Sequence, residues 1–122
     1  MPIASIKTAA HYIWGGNCDG WHLAASSNLS VIQERVPSGS AETRHLHHRA
    51  EQFFYILKGV ATLEVDGVAH RLQPGEGMHV PAGAPHSLRN EHKQMLEFLV
   101  IQLRRAMGIE RVHNPFARLC FR

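Results

Sequence analysis

Residues 39–59 read Gly39-Ser-Ala-Glu-Thr-Arg-His45-Leu-His47-His-Arg-Ala-Glu51-Gln52-Phe-Phe-Tyr-Ile-Leu-Lys-Gly59. His45 and His47 stand two apart, and on a β-strand residues i and i+2 leave the same face, so both imidazoles aim at one place. Glu51 and Gln52 follow with side-chain oxygens, and the aromatic and aliphatic run Phe53 to Leu57 reads as a returning strand. Two imidazoles and an oxygen on neighbouring strands suit a metal ion. A lone His-x-His is also what a polar, half-exposed hairpin carries, so a second stretch has to decide between the two.

Outward from this stretch the sequence is a succession of short strands separated by turn residues. On the N-terminal side, Ala9 to Trp14 and Trp21 to Ala25 flank the breaker Gly15-Gly16-Asn17-Cys18-Asp19-Gly20, and Leu29 to Val36 alternates with the period of a strand. Ala41 to His47 and Gln52 to Leu57 are the two strands of the central stretch. Beyond Gly59, Val60 to Val65 and Val68 to Leu72 surround Asp66-Gly67, the strongest two-residue hairpin signal in the chain. Met78 to Val80, His86 to Asn90 and Met95 to Leu103 complete the series, with Pro81-Ala82-Gly83-Ala84-Pro85 as a rigid connection. Short strands at spacings of about 8 to 12 residues, without a long amphipathic helix, predict an all-β sandwich or barrel.

Composition limits what the site can be set in. The 122 residues suit one domain. An apolar fraction of 44% and a charged fraction of 19% fit a globular protein with a core, and no apolar run reaches the length of a membrane span. The N-terminus lacks the basic-then-apolar pattern of a secretory leader, so the cytoplasm is the expected location. Cys18 and Cys120 stand near opposite ends and form no metal or redox motif, and both read as free thiols. The formal charge of +3 is uneven: the five arginines and one glutamate of residues 104–122 give that segment +4 and leave the rest at −1. The basic excess belongs to the tail, and nucleic acid and membrane are not expected as partners.

The second stretch is Gly75 to Asn90. It places Gly75, five residues, Pro81-x-Gly83, two residues, His86, three residues, Asn90; the first places Gly39, five residues, His45-x-His47, four residues, Gln52, six residues, Gly59. In this order, with fifteen residues between Gly59 and Gly75, the pair resembles the two motifs of the cupin superfamily over about Leu29 to Leu103. The resemblance implies an antiparallel jelly-roll barrel (the double-stranded β-helix) over residues 1–103, with residues 104–122 as a basic C-terminal extension. It also implies one divalent metal in the barrel mouth and a homodimer. The family's motif histidines fall on His45, His47 and His86. Its remaining ligand is normally Glu, but the spacing places Gln52 there, with Glu51 one residue early. Strand parity favours Gln52, together with Phe54 and Ile56, as inward-facing; a one-residue bulge would substitute Glu51.

Three neutral imidazoles and an amide leave the full +2 charge of the ion in the site, so such a metal is held less tightly and is more electrophilic than one with a carboxylate ligand. This donor set accepts Fe, Mn, Ni, Zn, Co or Cu. Gln33 and Arg35 share a strand parity and are candidates for the substrate pocket, Arg35 as the holder of an anion, with Phe54 and Trp21 as pocket walls. His48 and His79 fall outside the ligand places, and Asn90 is expected to bond backbone. No separate acid/base pair or nucleophile stands out, so catalytic residues stay unassigned. The expected function is a metal-dependent enzyme on a small polar or anionic molecule, with dioxygenase-like or isomerase-like chemistry. The alternative is a non-catalytic cupin that binds or senses a small ligand. In the tail, Pro115, Phe116, Leu119 and Phe121 favour packing over disorder.

Overall fold

A computed structural model of the chain describes residues 2–104. The expectations for the tail, including its four apolar residues and Cys120, lie outside the described residues. Among the described residues nine strands follow one another: β1 (Ala10–Trp14), β2 (Cys18–Ala25), β3 (Leu29–Val36), β4 (Ala50–Lys58), β5 (Ala61–Val65), β6 (Val68–Leu72), β7 (Gly77–Val80), β8 (His86–Arg89) and β9 (Leu96–Arg104). They form a six-stranded sheet in the order β1-β2-β3-β9-β4-β7 and a three-stranded sheet in the order β6-β5-β8. Every strand pairing is antiparallel. This is the all-β, two-sheet jelly roll expected from the sequence, and no helix among the described residues is long and apolar enough to cross a membrane.

The alternation within each strand decides which side chains lie between the sheets. In β4, Ala50, Gln52, Phe54 and Ile56 are buried while Phe53, Tyr55 and Leu57 are exposed. In β9, Leu96, Phe98 and Val100 are buried. They join Ile56, Leu63, Leu88, Val36 and Val80 in one core between the sheets. Burying each of these large side chains contributes about 1.5–3 kcal/mol, so the sheet pairing is fixed by the core as much as by backbone bonds. The β5–β6 turn has Asp66 at φ 51° and Gly67 at φ 81°. Positive φ at both central residues is the geometry whose twist matches that of the flanking strands, which is why Asp-Gly stands there.

One expected strand does not form. Residues 41–47 make only two isolated bridges, Ala41 with Arg89 and His45 with His86, in place of a continuous ladder. Glu42 takes part of the intervening pairing: its backbone N–H donates to Leu88 O at 2.9 Å, and its Oε1 accepts from Leu88 N–H at 2.9 Å. A side chain that bonds the neighbouring backbone competes with the ladder it sits beside. The segment still lies along the edge of β8, as a rudimentary fourth member of the small sheet.

Candidate metal centre

Backbone bonds hold the two halves of the site together. His45 N–H donates to His86 O at 3.0 Å, His86 N–H to His45 O at 2.8 Å, and Gly83 N–H to His47 O at 2.7 Å. The His-x-His segment is thereby fastened to the Pro81–Pro85 turn and to the start of β8. The imidazole ring centroids of His45 and His86 are 4.5 Å apart, those of His45 and His47 5.0 Å, and those of His47 and His86 5.8 Å. Each residue offers a ring nitrogen, and the three nitrogens lie within 4.8 Å of one another. Phe54, inward on β4, sits edge-on to His86 at 5.9 Å between centroids.

The hydrogen bonds fix which nitrogens are available. His45 Nδ1 lies 2.7 Å from Thr43 O, and His86 Nδ1 lies 3.0 Å from Ala84 O. A carbonyl only accepts, so each Nδ1 carries the proton and donates it there, leaving Nε2 with a lone pair. His86 is 1% exposed and its Nε2 is buried without a partner, as is Nε2 of His47. Burial is the largest cause lowering the pKa of both His47 and His86, and the neighbouring His45 lowers them further, although the Ala84 carbonyl partly offsets this at His86. Burial therefore favours the neutral, ligating form of both rings.

Gln52 enters the interior on the same face of β4 as Phe54. It is 9% exposed, and its Nε2 donates to Gln102 Oε1 at 2.9 Å, from the residue directly opposite on β9. Its Oε1 is buried with no partner, as are the two histidine nitrogens and the Trp14 indole N–H. Glu51 projects from the opposite face of β4, where its Oε1 lies 2.7 Å from His79 Nε2. The regular alternation through β4 carries no bulge at this point; its single irregularity falls between Ile56 and Lys58.

A cluster of buried, unpartnered lone pairs is costly unless something occupies it, at about 1–3 kcal/mol per group, and three imidazoles with an amide oxygen are a donor set that a transition-metal ion satisfies. The residues present fit a metal.

The pocket expectation requires correction. Ile32 and Val36 pack on the core, so on β3 the inward residues are Ile32, Glu34 and Val36. Gln33 and Arg35 therefore face outward, and Trp21, which pairs with Gln33, shares their face. There Arg35 lies 5.0 Å over the Trp21 ring and 3.8 Å from Glu97. Of the four expected pocket residues only Phe54 is on the side of the histidines. The residue that sequence reasoning passed over is Glu34, whose Oε2 accepts from the Tyr12 hydroxyl at 2.7 Å. The apolar pair Ile32 and Val36 was the signal that placed it inward.

Comparison with known proteins agrees with this geometry. Over 84 residues, 64% of this chain and 25% of the relative, the sequence is 35% identical to quercetin 2,3-dioxygenase of Bacillus subtilis. Over 106 residues, 84% of this chain and 22% of the relative, it is 29% identical to mannose-1-phosphate guanylyltransferase of Klebsiella pneumoniae. The chain thus spans about a quarter of the length of both. A crystal structure of a Thermus thermophilus protein superposes with a TM-score of 0.75 at 27% identity, covering 87% of this chain and all of the other. The Cupin domain model matches residues 32–102, a span that takes in the histidines of both motifs and ends at Gln102, so the chain belongs to the cupin family.

Proposed function

We propose that the protein is a mononuclear metal enzyme of the dioxygenase-like kind, acting on a small oxygen-bearing molecule, with His45, His47, His86 and Gln52 as the residues that hold the ion. The observation that carries this reading is the grouping of His45, His47 and His86, whose ring nitrogens lie within 4.8 Å of one another, with Nε2 of His47 and His86 and Oε1 of Gln52 buried and without a partner. The backbone carbonyls of Thr43 and Ala84 orient two of the rings, and Gln102 orients the amide. Such supporting bonds fix the tautomer and direction of a ligand before the ion arrives. A divalent ion bound there supplies Lewis-acid or oxygen chemistry at the positions its protein ligands leave open. Phe54, buried and edge-on to His86, gives that ring an apolar neighbour. The likeness to quercetin 2,3-dioxygenase supports the oxygenase class over isomerisation, and leaves the substrate to be found.

The test begins with metal analysis of the full chain after loading with Fe2+, Mn2+, Co2+, Ni2+, Cu2+ or Zn2+. One ion per chain is expected, and a His45→Ala/His47→Ala variant should lose it while keeping the far-ultraviolet circular dichroism of the wild type. Undiminished metal content in that variant would sink the site. Oxygen consumption with a panel of diols and diketones then separates the enzyme from a binding module: a tightly held ion with no oxygen uptake across the panel assigns the chain to ligand binding or sensing.

A further inference from the structure

The end of β9 carries a cation toward the histidines that the metal ligands do not use. Leu96, Phe98 and Val100 point into the core, and Gln102 continues that parity by bonding Gln52 with its side chain. Arg104 is the next residue on the same face. Its place is set by an unbroken register, in which Ala50, Glu51 and Gln52 of β4 stand opposite Arg104, Leu103 and Gln102. The Arg104 backbone N–H donates to Asn28 O at 2.8 Å, which fastens the end of β9 to the turn before β3. Two residues along from Gln102 and one strand across from β4, the Arg104 Cα lies roughly 8 Å from that of Gln52.

The charge of Arg104 reaches the cluster. Burial and the charges of His45 and His86 lower the pKa of His47, and Arg104 lowers it further, so this cation lies on the histidine side of the sheet. Among the described residues, Arg35 pairs with Glu97, Arg44 with Glu64 and Arg89 with Glu91, but no carboxylate lies within ion-pair distance of Arg104. Glu51, on the strand beside it, is turned to the other face, where it bonds His79. Ala50, directly opposite, carries only a methyl group, and Arg104 itself is exposed. His45 and His47 are only half-buried, so a small molecule can meet both the rings and the guanidinium from solvent.

We propose that Arg104 is the anion-holding residue of the metal site, and that the molecule bound there is a small carboxylate whose remaining oxygens face the ion. This rests on the metal reading above and names the substrate class within it. Three imidazoles and an amide leave the charge of a divalent ion uncancelled, and Arg104 adds to it, so charge complementarity favours an anion. The planar fork of a guanidinium matches the two oxygens of a carboxylate. Gln102 supplies a second donor of the same kind: its oxygen is taken by Gln52 Nε2, which leaves its own amide NH2 free to donate. The backbone separation fits a molecule of one ring or shorter, with the carboxylate at one end and the metal-binding oxygens at the other.

The test is calorimetry on the Zn2+-loaded full chain with 3,4-dihydroxybenzoate and 4-methylcatechol, which share a chelating diol and differ in the carboxylate. The wild type should bind the carboxylate-bearing probe more tightly. Arg104→Gln should weaken that probe by about tenfold or more and leave 4-methylcatechol within about twofold. Arg104→Lys should recover part of the loss, because it restores the charge without the fork. Arg105→Gln, which removes the same charge from the next residue, should leave both affinities within about twofold. Wild-type affinities in Arg104→Gln, an equal loss of both probes, or the same loss in Arg105→Gln overturn the assignment of the anion to Arg104. Zn2+ uptake is read first without probe. It should be the same in all three variants as in wild type; its loss in Arg104→Gln alone would make Arg104 a structural residue, and its absence from the wild type overturns the metal reading and this proposal with it.

Discussion

Gln52 is the residue on which the candidate metal site turns. Its amide nitrogen is committed to Gln102, which leaves its buried oxygen without a partner. Replacing it with Glu would add a negative charge next to a divalent ion without changing the length of the side chain, and Gln102 can turn its own amide to donate. The expected outcome for Gln52→Glu is Zn2+ binding tighter by about tenfold or more, which is about 1.4 kcal/mol, read by competition with a chelator. Glu51→Gln should leave Zn2+ affinity within about twofold of wild type, because Glu51 bonds His79 on the far side of the sheet. A large loss in the second variant and none in the first would reverse the assignment.

Glu42 ties the stability of the fold to pH. Burial pushes its carboxyl up to about 8 against the bond from Leu88 N–H, which lowers it, and the Glu34 charge raises it further. The folded state therefore keeps a proton that the unfolded state releases. Stability from this group is full below about pH 4.5 and falls, by at most about 1.4 kcal/mol per pH unit, as pH rises toward 8. Glu42→Gln keeps the acceptor for Leu88 N–H and removes the titration. Its urea midpoint should fall less steeply than that of wild type between pH 5 and 8; parallel slopes would show that Glu42 ionises freely in the folded protein.

At the scale of elements, strand parity made most of the architecture legible. β3 and β6 stand at the ends the sequence marked, and β4 buries Gln52, Phe54 and Ile56 as its alternation required. Parity fixes two faces but does not say which one is inside, and on β3 the choice had to come from the apolar members Ile32 and Val36. Reading Arg35 as an anion holder gave weight to its charge over that apolar pair, and put the pocket on the wrong face. The segment 41–47 was hidden for a different reason. Its alternation suits a strand, but a Glu42 side chain that caps Leu88 N–H interrupts pairing, a three-dimensional event with no periodic trace.

The contact of Tyr12 over Gly20 is also an element-scale feature, because it depends on three strands in register. Gly20→Ala forces the Tyr12 ring off Glu34, and overpacking of this kind costs about 1–3 kcal/mol. A double-mutant cycle separates that collision from any general effect of alanine on β2. With Tyr12→Ala in the background, the same substitution should cost under about 0.5 kcal/mol by urea denaturation. Equal costs in both backgrounds would mean that Tyr12 does not occupy the space above Gly20.

At the scale of the whole molecule, the three-stranded sheet covers only one face of the six-stranded sheet, and no other described element covers the second. That face presents Phe53, Tyr55, Leu57 and Leu103 at 37–42% exposure. Among the described residues it carries the pairs Arg35 with Glu97, Glu51 with His79 and, at the β1–β2 end, His11 with Asp19. A face with this run of apolar side chains suits burial against a second copy of the chain, and a two-fold axis would pair apolar strands from each subunit. The full chain is expected to sediment at twice the monomer mass. Phe53→Glu/Tyr55→Glu should convert it to monomer and leave Zn2+ uptake intact, since both side chains point away from the histidines. A wild type that sediments as monomer at tens of micromolar would remove the homodimer, and a charged variant that stays dimeric would move the interface to another surface.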